Sequence, residues 1–249
     1  MKLIQRSLFS LAFSVTLFSQ IGLVQAQSFS NLKPLQISQK FKPRVDNKPN
    51  PVTDGGATRG RSCLKKPESL KPLTPANIVG TTVSERPTFF LYVPDSTAKT
   101  LEFNIFAVGE TENLYEGKLP MPKESGIISF TLPENAPPLK INQTYQWSIS
   151  MICNNEDFSA NPRVSSWVER IEADSSLLKN LERSNSRNLA AIYGEAGIWN
   201  EGLNAIAKQR CIEPNNLLVR MKWRQFLESA GLNEMISKKL INSCSVNNR

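Results

Sequence analysis

No histidine occurs among the 249 residues. The chain is therefore closed to Ser-His and Cys-His nucleophilic catalysis, imidazole general bases and histidine-based zinc sites. What remains is the chemistry of serine–lysine pairs, carboxylates and cysteines. Ser-x-x-Lys occurs at Ser62-Cys63-Leu64-Lys65 and at Ser176-Leu177-Leu178-Lys179, the spacing that sets a lysine one helical turn from a nucleophilic serine in penicillin-recognising enzymes. The companion Ser-Asp-Asn and Lys-Thr-Gly are missing, and two fixed positions in four arise readily by chance. The first pattern is better read as linker, and Lys179 as the exposed face of a short helix. Glycoside hydrolysis needs two carboxylates about 5–10 Å apart across a cleft. Glu110 with Glu112, and Glu156 with Asp157, lie close in sequence but within polar runs that read as solvated turns. Asn154-Asn155-Glu156-Asp157 offers oxygen ligands for calcium without an ordered loop motif. Asn142-Gln143-Thr144 fits a glycosylation sequon. Cys-x-x-Cys, the phosphate-binding Gly-x-x-x-x-Gly-Lys and Gly-x-Ser-x-Gly do not occur. The expectation is no catalytic residue, no cofactor and no metal.

The four cysteines, Cys63, Cys153, Cys211 and Cys244, allow three pairings. Cys63–Cys153 with Cys211–Cys244 is preferred because it keeps each bridge within one structural part. The first would pin the end of a basic segment to a core strand, worth roughly 4–5 kcal/mol in the chain-entropy model. Cys211 reads equally well as a buried thiol at a helix end.

The element around which the fold is expected to start is Thr81 to Pro94. Its β-branched and aromatic residues Thr88-Phe89-Phe90-Leu91-Tyr92-Val93 sit between Pro87 and Pro94, about the length of one strand. Strand signals continue from residue 77 to 171. In 100–108, Leu101, Phe103, Ile105 and Ala107 share one face; in 143–153, Tyr145, Trp147, Ile149, Met151 and Cys153 do. With 77–83, 88–93, 114–119, 126–132 and 163–171 they make seven short strands without an intervening helix, predicting an antiparallel β-sandwich over 76–172. Leu139 to Trp147 has the form of a tyrosine corner, "leucine, turn, tyrosine, x, tryptophan", which points to an immunoglobulin- or fibronectin-like version with Tyr145 and Trp147 in the core.

After Asp174 the period becomes helical, so 173–245 is expected to form a small α-helical part and the class is α+β. Asp174 or Ser175 caps a helix over Leu177, Leu178 and Leu181. Helices over 184–196 and 199–210 follow, then 217–229 and 233–241. Ala190, Tyr193, Gly197, Trp199, Gly202 and Pro214 fall at the spacing of a single tetratricopeptide unit, with Gln209 in place of its usual late alanine. One such unit cannot bury its own face, so these helices must pack on each other or on the sandwich.

Residues 1–26 read as a secretory signal peptide. Lys2 and Arg6 supply the positive start, 8–24 the apolar run, and Val24-Gln25-Ala26 the small-residue cleavage pattern, placing the cut between Ala26 and Gln27. No later stretch is apolar and long enough to span a bilayer. The formal charge of +8 is unevenly spread: 27–75 holds ten Lys/Arg against three Asp/Glu, a net of +7, whereas 76–249 holds eighteen against nineteen, a net of −1. The proline-rich, apolar-poor 27–75 is expected to be an extended, disordered linker. It offers weak, salt-sensitive contact with an anionic surface. Nucleic acid does not suit an exported chain whose folded part is near neutral.

Gly55-Gly56-Ala57-Thr58-Arg59-Gly60 before Cys63, Thr82 to Pro94 with Glu85-Arg86-Pro87, Gly126 to Leu139, the Tyr-x-Trp strand ending in Cys153, Trp167-Val168-Glu169 and Tyr193 to Leu203 come in an ordered series. Together they resemble the cyanobacterial domain-of-unknown-function 928 family (DUF928) over residues 55–232. The resemblance implies an exported cyanobacterial protein and assigns it no activity, catalytic residue or binding residue. Such sequences carry cysteines where Cys63 and Cys153 fall; Cys211 and Cys244 are particular to this chain.

The expected function is a non-catalytic envelope protein, periplasmic or extracellular, acting as an interaction or scaffolding module toward an envelope protein or a polysaccharide. A carbohydrate-active or carbohydrate-binding sandwich using carboxylates and aromatics is the alternative, and burial of Trp147, Trp167 and Trp199 would count against it. A third reading is an anionic-surface tether through the basic segment 33–71.

Overall fold

The computed structural model describes residues 39–45, 48, 63–154, 156–157 and 161–241, all within one compact unit. Those residues form an α+β fold of two mostly antiparallel sheets and four α-helices. The strands are β1 (Lys71–Pro72), β2 (Gly80–Thr82), β3 (Thr88–Val93), β4 (Thr100–Ala107), β5 (Tyr115–Pro120), β6 (Gly126–Thr131), β7 (Gln143–Ile152) and β8 (Arg163–Arg170). The helices are α1 (Ser175–Glu182), α2 (Leu189–Glu195), α3 (Trp199–Ile212) and α4 (Leu217–Ser229). All seven expected strands are present. β1 is additional, a two-residue pairing of Lys71 with Tyr92 and Pro72 with Leu91.

The small sheet runs β1-β3-β6 and the large one β2-β8-β7-β4-β5. Pairing is antiparallel except that β2 lies parallel to β8, Gly80 opposite Val168. β3 shows how the layers are organised. Side chains alternate across a strand, and in β3 both sets are buried. Phe89, Leu91 and Val93 join Leu101, Phe103, Ile105, Trp147, Ile149 and Met151 in a core between the two sheets. Phe90 and Tyr92 join Ile127, Trp199, Leu203, Trp223 and Phe226 in a second core beneath the helices. A strand buried on both faces reads as a continuous apolar run. That is why Phe89 to Val93 shows no polar alternation.

The corner entering β7 has its expected bond: the Tyr145 hydroxyl accepts from the Lys140 amide at 2.7 Å. Arg86, next to Pro87, donates to the Pro133 and Ala136 carbonyls at 2.7 and 2.5 Å. It closes the loop that leads into that corner. Asp174 caps α1, its carboxylate accepting from the Leu177 amide at 2.8 Å. Asn216 caps α4 through Leu218 and Val219.

Two expectations are corrected. The stretch 27–75 is not linker throughout, for two of its described parts pack on the body. Residues 39–45 cross the helices, with Phe41 buried edge-on to Trp199 at 5.1 Å between ring centroids. The Phe41 amide donates to Ser229 Oγ, and the Lys42 amide to the Gly194 carbonyl at 2.9 Å. A Cβ on Gly194 would lie 2.7 Å from the Lys40 carbonyl oxygen, so only glycine admits this crossing. Leu70 and Leu73 are buried as well. The helix expected over 233–241 is instead a short 3-10 turn, Asn233–Met235, followed by extended chain that bridges Leu240 to Ile127. The Ile127 amide donates to the Lys239 carbonyl and the Ile241 amide to the Ile127 carbonyl, each at 2.7 Å. Two backbone bonds at the β6 edge take the place of a last helical turn.

Candidate functional site

The structure brings Cys63 and Cys153 together in a disulfide, with Cα atoms 5.7 Å apart. It ties the chain before β1 to the end of β7. Ala26, Gln27 and Cys244 lie outside the described residues, and with them the expected cleavage site and the Cys211–Cys244 pairing. Ser62 of the first Ser-x-x-Lys also lies outside; Lys65 pairs with Asp95 at 3.1 Å. In the second, Ser176 donates to the Asp174 carboxylate at 2.7 Å as part of the α1 cap, and Lys179 is exposed. Glu110 and Glu112 are exposed on the β4–β5 turn. Glu156 and Asp157 are exposed too, in a loop organised by Asn161. The Asn161 side chain accepts from the Cys153 and Asn154 amides at 2.8 and 2.9 Å and donates to the Asn154 carbonyl. Among the described residues no group of three or more potential ligands could hold a metal. Asn142 of the sequon is exposed at φ 61°, in the left-handed region that asparagine tolerates. Trp147 and Trp199 are buried, and Trp167 is partly exposed on the outer face of the large sheet.

Two clusters of ionisable groups were not visible in the sequence, because each joins residues distant along the chain. In the first, Tyr92 donates its hydroxyl to Glu68, and Lys238 reaches both, at 3.1 Å from Glu68 Oε1 and 3.2 Å from the Tyr92 oxygen. A lysine acting as a base needs its ammonium destabilised. Here bonds to Tyr92 and Glu68 hold Lys238 above its ordinary value, while the Tyr92 hydroxyl and Lys238 hold Glu68 below. Burial, followed by the bond to Glu68, pushes the Tyr92 phenol up. The group is an ammonium, a carboxylate and a neutral phenol tying 68 and 238 to β3.

The second cluster centres on Glu201 in the first turn of α3. Its carboxylate accepts from Thr82 Oγ1 at 2.5 Å and from the Val83 and Ser84 amides at 3.3 Å. Beside it, Thr81 donates to the Gly197 carbonyl and accepts from the Trp199 amide. Burial pushes the Glu201 carboxyl up, outweighing those hydrogen bonds. Its proton is thus held more tightly in the folded than in the unfolded chain, where a glutamate titrates near about 4.3. From there up to the raised folded value, stability falls as pH rises. Glu201→Gln is expected to remove that component, so that urea unfolding across a pH series shows a flatter decline than in the unaltered protein; equal slopes would contradict the assignment.

A third feature lies where α3 turns into α4 through Glu213–Asn216. The inward stripe of α4 is Val219, Trp223, Phe226 and Leu227. Outside it stand Leu217, Leu218 and Met221, 68%, 39% and 49% exposed, beside Ile212 at the end of α3, 76% exposed. The same corner is cationic. The Arg210 guanidinium lies over the Trp223 ring, 5.4 Å from its centroid, and burial and the like charge of Arg220 push it down. Lys222, only 8% exposed, donates to the Arg187 carbonyl at 3.3 Å, and burial followed by the Arg187 charge lowers it. Glu213 is the nearby carboxylate, 3.6 Å from Arg187. Among the described residues neither Arg210 nor Arg220 forms an ion pair.

Fold and clusters together define an α+β protein of two mostly antiparallel sheets under a helical layer. The family model described as Domain of Unknown Function (DUF928) matches residues 54–240. That is more than half of the chain, and the chain belongs to that family. No curated protein matches it. Among solved structures, one described as "Structure of Astrotactin-2, a conserved vertebrate-specific and perforin-like membrane protein involved in neuronal development" is similar at 12% identity, with a TM-score of 0.25. The likeness covers 71% of this chain and 37% of that one, so the chain spans well under half of that protein's length. It carries no argument about fold or function.

Proposed function

We propose that this chain is an exported, non-catalytic binding module of the cell envelope. One observation carries the reading: the ionisable clusters hold joints of the fold, while apolar exposure gathers at the α3–α4 corner. Glu201 and the Glu68–Tyr92–Lys238 group each tie distant segments together. The Cys63–Cys153 bridge and the signal-like start of the sequence support an oxidising, exported setting.

The strand order supports an immunoglobulin- or fibronectin-like sandwich. The pairing β4-β7-β8 in one sheet and β3-β6 in the other is the order such a sandwich would give its central strands, and the Tyr145–Lys140 bond at the start of β7 is consistent with a tyrosine corner. The α2–α3 hairpin supports a single tetratricopeptide-like unit. Gly202 lies at one of its small positions, and a Cβ there would come within 2.7 Å of Phe226 Cζ. A sugar-binding role has less support, since two of the three tryptophans it would draw on lie in the cores.

Gentle crosslinking in intact cells, followed by recovery of the chain from envelope extracts, tests the reading. Adducts of the chain with polypeptide or with lipid are expected; recovery of the unmodified monomer alone would overturn the reading.

A further inference from the structure

We infer that the α3–α4 corner docks on the surface of an anionic lipid bilayer. The inference deepens the binding-module reading and rests on it. Two properties of the corner select this occupant. The first is shape. Ile212 and Leu217, 76% and 68% exposed, flank a four-residue turn at the end of a helical hairpin. Side chains that open project from the body, whereas a groove that grips a helix or a peptide strand encloses its lining. A projecting apolar tip suits a deformable interface, into which a few side chains dip as far as the headgroup–acyl boundary.

The second is charge. Arg210 and Arg220 lie near enough for the charge of one to depress the other, and neither forms an ion pair among the described residues. Behind them lie Arg187, paired with Glu213, and the buried Lys222, which donates to the Arg187 carbonyl. The nearby carboxylate Glu213 is engaged with Arg187 at 3.6 Å. Unopposed cations beside exposed aliphatic side chains complement an anionic headgroup layer over hydrocarbon. Among the described residues no helix is long and apolar enough to cross a membrane; the contact argued is interfacial.

The test uses the full chain, recovered after expression with its own leader, and co-sedimentation with vesicles of phosphatidylcholine alone or mixed with phosphatidylglycerol. Stronger retention on the mixed vesicles is expected, weakening as salt rises. Arg220→Glu is expected to weaken it about fivefold for each unit of charge changed. Ile212→Glu combined with Leu217→Glu is expected to abolish the preference for mixed vesicles. All three positions are solvent-exposed, and an unchanged urea midpoint confirms that the variants fold. Retention equal to that of the unaltered chain in both variants would overturn the inference and assign the binding to the basic segment 33–71. Lack of retention, together with concentration-dependent self-association lost in the Ile212/Leu217 variant, would overturn it in favour of a second copy. No retention with a crosslinked polypeptide in the envelope would overturn it too, leaving the binding-module reading intact.

Discussion

Trp199→Ala is expected to lower the unfolding free energy by about 3–5 kcal/mol, the range for removing a fully buried tryptophan. The side chain is completely buried and makes three kinds of contact at once. Its ring meets Phe41 edge-on and stacks on Phe226, both at 5.1 Å between centroids, and its Nε1 donates to the Leu73 carbonyl at 2.9 Å. It therefore joins the 39–45 segment, the helices and the chain leaving β1 of the small sheet. Against a typical total of about 5–15 kcal/mol the loss is large. The form of the transition discriminates as well as its midpoint. Because Phe90 and Tyr92 of β3 share a core with the helices, the variant should unfold in one transition, with near-ultraviolet and far-ultraviolet signals coincident. An early helical transition that leaves the sheets intact would contradict the shared core. Phe41→Ala should reproduce part of the loss. A double-mutant cycle with Trp199→Ala should show coupling of about 0.5–1.5 kcal/mol, the worth of an aromatic pair beyond its buried area.

Replacing both Cys63 and Cys153 with alanine is expected to cost about 4–5 kcal/mol in the chain-entropy model, because the bridge closes a separation of 90 residues. The bridge spans β1 to β7, so without it the unfolded chain regains freedom over most of both sheets. Reductant supplies the control. It should shift the denaturation midpoint of the unaltered protein toward that of the double variant by the share due to this bridge, and Cys63→Ala alone should match the double variant within the cost of one further side chain. A variant as stable as the unaltered protein would show that the bridge does not form in solution.

Much of the architecture was legible because it is written in local patterns. Alternation marked β4 and β7, and proline brackets marked β3. The Leu139-to-Trp147 run announced a hydrogen bond between residues only five apart, Lys140 and Tyr145. What was missed depends on partners far along the chain. Phe41 is a lone aromatic in a basic, proline-rich stretch, and nothing near it shows that a slot beside Trp199 and Phe226 receives it. β1 is two residues long and includes Pro72, too short to carry a period. The helical pattern over 233–241 yielded to the free edge of β6, where Gly126 lets the chain approach: a Cβ there would sit 2.6 Å from the Lys239 carbonyl oxygen. The α3–α4 corner escaped notice for a different reason. Leu217, Leu218 and Met221 look by type like core residues of a helix, and only the packing shows that Val219, Trp223, Phe226 and Leu227 already fill that role.

The charged residues illustrate the same division. Glu85-Arg86-Pro87 is legible in the sequence as part of an ordered motif series; in the structure Arg86 serves two loop carbonyls, and Glu85 lies 4.0 Å from Arg170. Glu201 did not stand out, yet it is the carboxylate that burial perturbs upward. Its partners, Thr82 to Ser84, lie more than a hundred residues earlier in the chain.

The binding-module reading is tested most directly by a photo-crosslinking residue placed in living cells at position 217, with position 110 on the β4–β5 turn as the control. Both sites are exposed, but only the first belongs to the α3–α4 corner. The account predicts covalent adducts, to lipid or polypeptide, from position 217 and at most background from position 110. Background at both positions, or equal adducts from the two, would contradict it.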